Sequence, residues 1–355
     1  MSEQFSKNFY SMFRARRITL EVRQSVSWAI RTGIIIGSLI FGLGITLGIL
    51  IASGVPPASV YEEFIVFTFF NSAGLANIVV DSTPLVIVGL AAAAAFRINF
   101  WNIGIEGQFF MGVIGSTIVV IFDIGPESLR LPIMLIFSIL LGGIWAMPPA
   151  WLKLRLRINE VITTLLFNYI AYYFVLNQIY GAWKDPVDKF PHSELYEKVE
   201  RLPGIGWEDV SWGVLVAGVA VGLTWWLIER SRFGIKSRFV GINPSMALAV
   251  GLPVSVITLI SALVSGGLSG TAGFVVASSM EFRLTYGIAA GYGFSAIVIA
   301  FLAGNRPIGV LIVAFLMGGL YVAGDSLKVF YNLPDAIVGL IQAIVVLSVA
   351  ASEFF

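Results

Sequence analysis

The sequence predicts an all-α polytopic membrane protein of about ten transmembrane helices, with both termini cytoplasmic. Three observations carry that expectation. Of the 355 residues, 57% are apolar and 12% charged, against roughly a quarter charged in soluble domains. Apolar runs of the roughly 20 residues needed to cross a bilayer recur along the chain. The basic residues collect in alternate connections, which orients those runs.

The head, residues 1–27, mixes aromatics with Lys7, Arg14, Arg16, Arg17 and Arg23 and reads as a basic cytoplasmic or interfacial segment. The first apolar run, 28–51, is longer than the roughly 7–15 residues of a signal-peptide core. It is therefore a retained helix, and residues 28–355 form one transmembrane domain. Further spans fall at 102–122, 131–151, 158–180, 211–228, 253–276, 308–323 and 334–351. Two candidates, Thr83 to Phe96 and Gly291 to Gly304, are too short to cross as straight isolated helices.

Charge settles how to count them. Lys153, Arg155 and Arg157 mark one loop as cytoplasmic, and Arg230, Arg232, Lys236 and Arg238 mark the loop 229–252 likewise. The loop 183–210 carries an acidic excess and is extracytoplasmic. For the Lys153 loop to lie inside, Phe64 to Val79 must be an outer interfacial piece or the first half of a broken helix. Five crossings per half then place two halves in opposite orientation, a five-plus-five inverted repeat. A trace of it survives: "FRINFWNIGIEGQFF" from Phe96 and "FRLTYGIAAGYGFS" from Phe282 both abut a short or glycine-interrupted span. Interrupted spans at corresponding positions point to a transport site.

Polar groups inside apolar spans need a partner or a wet pathway. As a regular helix from Asn102, the chain puts Asn102 and Glu106 on one face and Gly104, Gln108, Gly112 and Ser116 on another, a small-residue packing surface. Glu106 either faces a translocation pathway or serves as a partner of Arg97 or as a helix-terminus charge. Glu160, Thr164, Asn168 and Tyr172 form a second row at a spacing of four, for helix-to-helix hydrogen bonding or pore lining. Ser261, Ser265 and Ser269 beside Gly266 and Gly270 form a close-packing surface. In the loop 229–252, Pro244 can open a short helix, Ser245 to Val250, with Asn243 as its cap. That helix has no membrane role and suits docking to a soluble partner.

Several functions are excluded or disfavoured. There is no cysteine, and the lone histidine, His192, is expected at the surface of its loop, so no metal site or cofactor is anticipated. A net charge near zero gives no case for nucleic acid. Hydrolase, metalloprotease and phosphate-loop signatures are missing, so the chain is expected to be no enzyme, and any nucleotide hydrolysis belongs to another subunit.

Four stretches in order, "NIGIEGQFFMG", "NEVITTLLFNYIA", "FGIKSRFVGINPSMALAVGL" and "GIAAGYGFSAIVIAFLAGNRPIG", resemble the permease subunits of ABC importers of the ribose and branched-chain amino acid type, most closely the nucleoside (simple sugar) branch. The similarity runs from about Trp28 onward. It implies an inner-membrane subunit paired with a second permease as a heterodimer, an ATP-binding subunit, an extracytoplasmic substrate-binding lipoprotein and a small-molecule substrate, all within membrane lipids. On this resemblance Asn102, Glu106, Gln108, Thr164 and Asn168 belong to the translocation pathway. Arg238, Gly241, Asn243, Pro244, Met246 and Leu248 belong to the loop that couples to the ATPase. Met246 and Phe239 depart from the family pattern, which has alanines at these places. A proton- or sodium-coupled secondary transporter of a small polar solute, with Glu106 as the coupling carboxylate, is the competing reading.

Overall fold

The computed structural model describes residues 27–352 other than 189 and 290. Among them no strand forms, and the only ladder-like pairings are isolated bridges between His192 and Thr285 and between Gly204 and Ser211. Among the described residues, five helical stretches are long and apolar enough to cross a membrane: Ser72–Phe96, Glu127–Leu156, Gly213–Arg230, Val254–Glu281 and Pro307–Tyr331. In chain order the helices are α1 (Trp28–Ala52), α2 (Ser72–Phe96), α3 (Ile105–Ile121), α4 (Arg130–Trp145), α5 (Met147–Leu156), α6 (Glu160–Tyr180), α7 (Gly213–Trp225), α8 (Arg232–Ile242), α9 (Pro244–Ala249), α10 (Val254–Val276), α11 (Tyr292–Leu302), α12 (Pro307–Tyr331) and α13 (Asp335–Ala351). The basic head lies outside the described residues except for Ser27.

α2 corrects the expectation of a short span at 83–96. It starts eleven residues earlier and runs unbroken through Pro84. Asn71 caps it, its side chain accepting from Ala73 N at 3.0 Å. Pro84 removes one backbone donor, and in the turn below it Thr83 Oγ1 (2.6 Å) and Ser82 Oγ (3.3 Å) donate to the Val79 carbonyl. From Ser82 to Phe96 every residue is buried. A helix apolar all round survives in that form only as a core element. The preceding helical run, Pro57–Ser59, Val60–Phe67 and Thr68–Phe70, is a separate piece before Asn71.

Two other boundaries move. The span expected at 131–151 breaks at Ala146, before Pro148 and Pro149, and resumes as α5. The span expected at 308–323 continues to Tyr331, because Gly324 to Leu327 still packs against α13 and the outer run.

α10 is the second core helix and crosses α2. α2 packs on α11 and α12, while α10 packs on α3 and α4. The α3–α10 crossing is as close as backbones allow: a Cβ on Gly112 would lie 2.4 Å from the Gly270 Cα. Ser116 meets Ser138 at 2.8 Å across the α3–α4 contact. Small residues permit this approach, as the sequence pattern anticipates. α1 and α13 run antiparallel, with Gly42 against Ser348 and Leu50 in one cluster with Ile341.

The connections gather at two ends. At the basic end Lys153 joins the Asn99 carbonyl (3.0 Å) and Glu160, and Asn99 joins Gly241. At the opposite end Arg130 binds Asp123 and approaches Glu200 at 3.8 Å. Burial pushes the Glu200 carboxyl and the Tyr196 phenol upward, the latter while hydrogen-bonded to Thr117 at 2.7 Å. His192 is not the surface residue expected. It is buried between Asp188 (3.0 Å) and Arg283 (3.1 Å), because the loop 183–210 folds back over the segment after α10.

Candidate functional site

The site begins where α2 ends. Asn99 takes a left-handed conformation, φ 54°, which asparagine tolerates better than most residues. The chain then stays non-helical until Ile105. Asn102 therefore precedes α3 and does not share a face with Glu106, as a regular helix would require. Its side chain turns inward. Its amide donates to Gln108 Oε1 and Ser265 Oγ, both at 2.9 Å, and its carbonyl oxygen accepts from Gln108 Nε2 and Gly104 N, both at 3.0 Å. Ser265 Oγ donates in turn to the Ala91 carbonyl at 2.7 Å.

α6 supplies the other half of this brace. Thr164 Oγ1 accepts from Ile103 N at 3.2 Å, while Asn168 accepts from Gly107 N and donates to the Ile103 carbonyl, both at 2.8 Å. Asn102, Gln108, Thr164 and Asn168 are all buried. A buried polar network with its partners in place holds one geometry, because breaking any bond leaves an unsatisfied group. Four of the five pathway candidates thus come together as the brace of a bend.

Glu106 does something else. Its Oε2 accepts from Gly293 N at 2.6 Å and its Oε1 from Gly291 N at 3.2 Å. Those donors open α11, so the carboxylate sits on the positive end of that helix. The fit is close: a Cβ on Gly293 would lie 2.3 Å from the Glu106 nitrogen. Of the roles anticipated for Glu106, the geometry uses the helix-terminus charge. Arg97 lies at the basic end, near Arg238 and Glu229. With eleven residues, α11 spans only about 16 Å at 1.5 Å per residue, roughly half a hydrocarbon core. An irregular leg from Phe282 to Ala289 leads to it.

Glu106 also borders a cleft of about 300 Å³ with Asn168, Phe110, Tyr169, Tyr172 and Tyr286. Phe110 and Tyr172 pack at 5.8 Å between ring centroids. The cleft thus offers one carboxylate, one amide and several aromatic faces. The residues missed in the sequence are Asn99, Ser265, Gly293 and Tyr286. The glycine pair flanking Tyr292 beside a short span was a signal for Gly293, and the serine row that includes Ser265 was read as packing alone.

The docking candidates form a second site at the basic end. Asn243 caps α9, accepting from Met246 N at 3.0 Å, and Pro244 opens it. Ala247 is buried, whereas Met246 and Leu248 are about 60% exposed (62% and 60%), and Phe239, Ile242 and Val250 of the same loop are exposed apolar residues as well. Arg238 is exposed. Gly241 lies against the bend, where a Cβ would meet the Arg97 carbonyl at 2.1 Å. Asn99 Nδ2 donates to the Gly241 carbonyl at 2.6 Å. Burial, and then the like charge of Arg238, lowers the Arg97 guanidinium below its usual value.

A protein-family profile described as "Branched-chain amino acid transport system / permease component" matches residues 74–350. The chain belongs to this permease family. The permease is 30% identical over 349 residues to the glucose ABC transporter permease protein TsgB13 of Haloferax volcanii, covering 95% of this chain and 92% of the relative. It is 31% identical over 320 residues to the guanosine ABC transporter permease protein NupP of Bacillus subtilis, covering 89% and 92%. It is 24% identical over 324 residues to the nucleoside ABC transporter permease protein NupB of Lactococcus lactis, covering 88% and 89%. The permease is thus a multi-pass membrane protein and a transport component, and the relatives are named as permeases.

Proposed function

We propose that this permease forms the translocation route for nucleosides or related simple sugars in an ATP-driven importer of the cell (inner) membrane. The observation that carries the reading is the cleft at the interrupted helix, where Glu106 and Asn168 stand beside Phe110, Tyr172 and Tyr286. Backbone at membrane depth is left irregular only where it is buried or lines a cavity. Aromatic faces suit a nucleobase or the apolar face of a sugar ring, and the two polar groups suit hydroxyls. The substrates named for the relatives, guanosine, nucleosides and glucose, belong to that chemistry.

Within this reading Glu106 and Asn168 face the solute, and Asn102, Gln108 and Thr164 hold the bend that presents them. Arg238 to Leu248 docks an ATP-binding subunit, a second permease completes the channel, and an extracytoplasmic lipoprotein delivers solute. Ten crossings with cytoplasmic termini accord with the chain directions between the two ends and with the basic loops. An inverted repeat is supported by the reciprocal packing of α2 and α10. It is supported too by the two Phe-Arg pairs, since Arg97 lies near the Gly241 loop and Arg283 beside His192, at opposite ends.

Reconstitution of the full complex in proteoliposomes, with a panel of nucleosides and sugars, tests the reading. ATP-dependent uptake of at least one of them, requiring the lipoprotein, is expected. Uptake that proceeds without an ATP-binding subunit on a proton or sodium gradient would establish the secondary transporter instead.

A further inference from the structure

The bend, together with the first turn of α3 that follows it, is joined to α11 at both ends of that helix. At its start Glu106 holds Gly293 N at 2.6 Å. At its finish Trp101, in the bend, packs on Phe301 at 5.5 Å and on Phe96 at 5.2 Å between ring centroids. Inside the bend, Ile103 is fixed through both its N–H and its carbonyl, by Thr164 and Asn168. A segment held at that many points moves as one body with the half-helix it grips, because packed cores shift between discrete arrangements rather than stretching.

One hydrogen bond connects this body to the docking segment. Among the described residues, Asn99 Nδ2 to the Gly241 carbonyl at 2.6 Å is the one hydrogen bond between residues 232–252 and the bend. The Asn99 carbonyl is held in turn by Lys153 Nζ at 3.0 Å, whose ammonium pairs with Glu160 at the foot of α6. Asn99 therefore stands where the docking segment, α5, α6 and the bend meet.

We propose that Asn99 is the positioning residue that transmits movement of the docking segment to the cleft. Displacement of α8 and α9 by the ATP-binding subunit pulls Gly241. Asn99 carries the pull into the bend, and the bend carries α11 with it through Trp101 and Glu106. The cleft between α3, α6 and the irregular leg changes width as a result. This rests on the reading of the docking segment given above.

The side chain can be removed without straining the backbone, because glycine adopts the left-handed conformation of Asn99 freely. Asn99→Gly deletes the hydrogen bond, and Asn99→Asp keeps the shape but sets a carboxylate against the Gly241 carbonyl. In the reconstituted complex both variants are expected to co-purify with the ATP-binding subunit and hydrolyse ATP at a basal rate within twofold of wild type. Solute imported per ATP, and stimulation of hydrolysis by the loaded lipoprotein, should fall at least fivefold. Import per ATP within twofold of wild type in both variants would overturn the proposal. So would loss of import in mere proportion to loss of assembled complex, since that makes Asn99 a folding residue. If wild type itself shows no ATP-dependent import, it is the transport reading that has failed, and this is seen before any variant is compared.

Discussion

Glu106 Oε2 accepts the backbone N–H of Gly293 at 2.6 Å, so the first turn of α3 caps the first turn of α11. The short α11 thus takes the acceptor for its start from a neighbouring helix, and the carboxylate remains at the edge of the cleft. Glu106→Gln keeps an oxygen acceptor but loses the charge, an interaction with the helix terminus worth about 0.3–2 kcal/mol. Uptake in the reconstituted complex should fall by up to roughly 30-fold, with its dependence on ATP unchanged. Uptake that becomes independent of a proton gradient in this variant would instead mark Glu106 as a coupling carboxylate.

The membrane orientation is open to labelling, because the chain has no cysteine of its own. Arg155 and Lys236 are exposed at the basic end, and Val187 is 91% exposed in the opposite loop. His192 is buried and a poor target. An impermeant thiol reagent applied to intact cells should label Val187→Cys and leave Arg155→Cys and Lys236→Cys unmodified until the cells are broken. The reverse pattern inverts the topology.

Met246 and Leu248 project from α9 while Ala247 anchors it. Buried apolar anchors dominate helix-in-groove contacts, whereas exposed rim charges contribute roughly 0–1 kcal/mol. Met246→Asp and Leu248→Asp should abolish co-purification of the ATP-binding subunit while leaving the permease in the membrane, and Arg238→Ala should weaken it little. Retention of that subunit at wild-type yield by both aspartate variants would move the docking surface elsewhere.

Gly270 presses its backbone on Gly112, with no room for a methyl group between them. Gly112→Ala must push α3 from α10, since its Cβ would lie 2.4 Å from the Gly270 Cα, at a cost at or above the roughly 1–3 kcal/mol usual for overpacking. A lowered midpoint of thermal unfolding in detergent is the expected outcome. An unchanged midpoint shows that the crossing adjusts.

The sequence by itself determined the all-helical membrane class, the places of most apolar helices and the short helix that follows Asn243. Hydropathy responds to the bilayer, a solvent that imposes length on any segment crossing it, and basic loops respond to orientation. The cap at Asn243 was legible for a related reason, since its donor lies only three residues away. The row Glu160, Thr164 and Asn168 was also visible, because residues four apart share a helical face.

Tertiary structure decided the rest. The Asn102 to Ser265 bond joins residues 163 positions apart, Glu106 to Gly293 joins residues 187 apart, and Asn99 to Gly241 joins residues 142 apart. No periodicity reports such pairs. The short span expected at 83–96 is the inner part of a longer α2 that runs through Pro84, because a buried helix receives support from its neighbours that a lone span lacks. His192 read as surface in a polar loop, whereas the folded loop buries it between its own Asp188 and Arg283. Local chemistry sets which segments enter the membrane, whereas the partner of a polar group buried there is set by whichever helix packing brings to it.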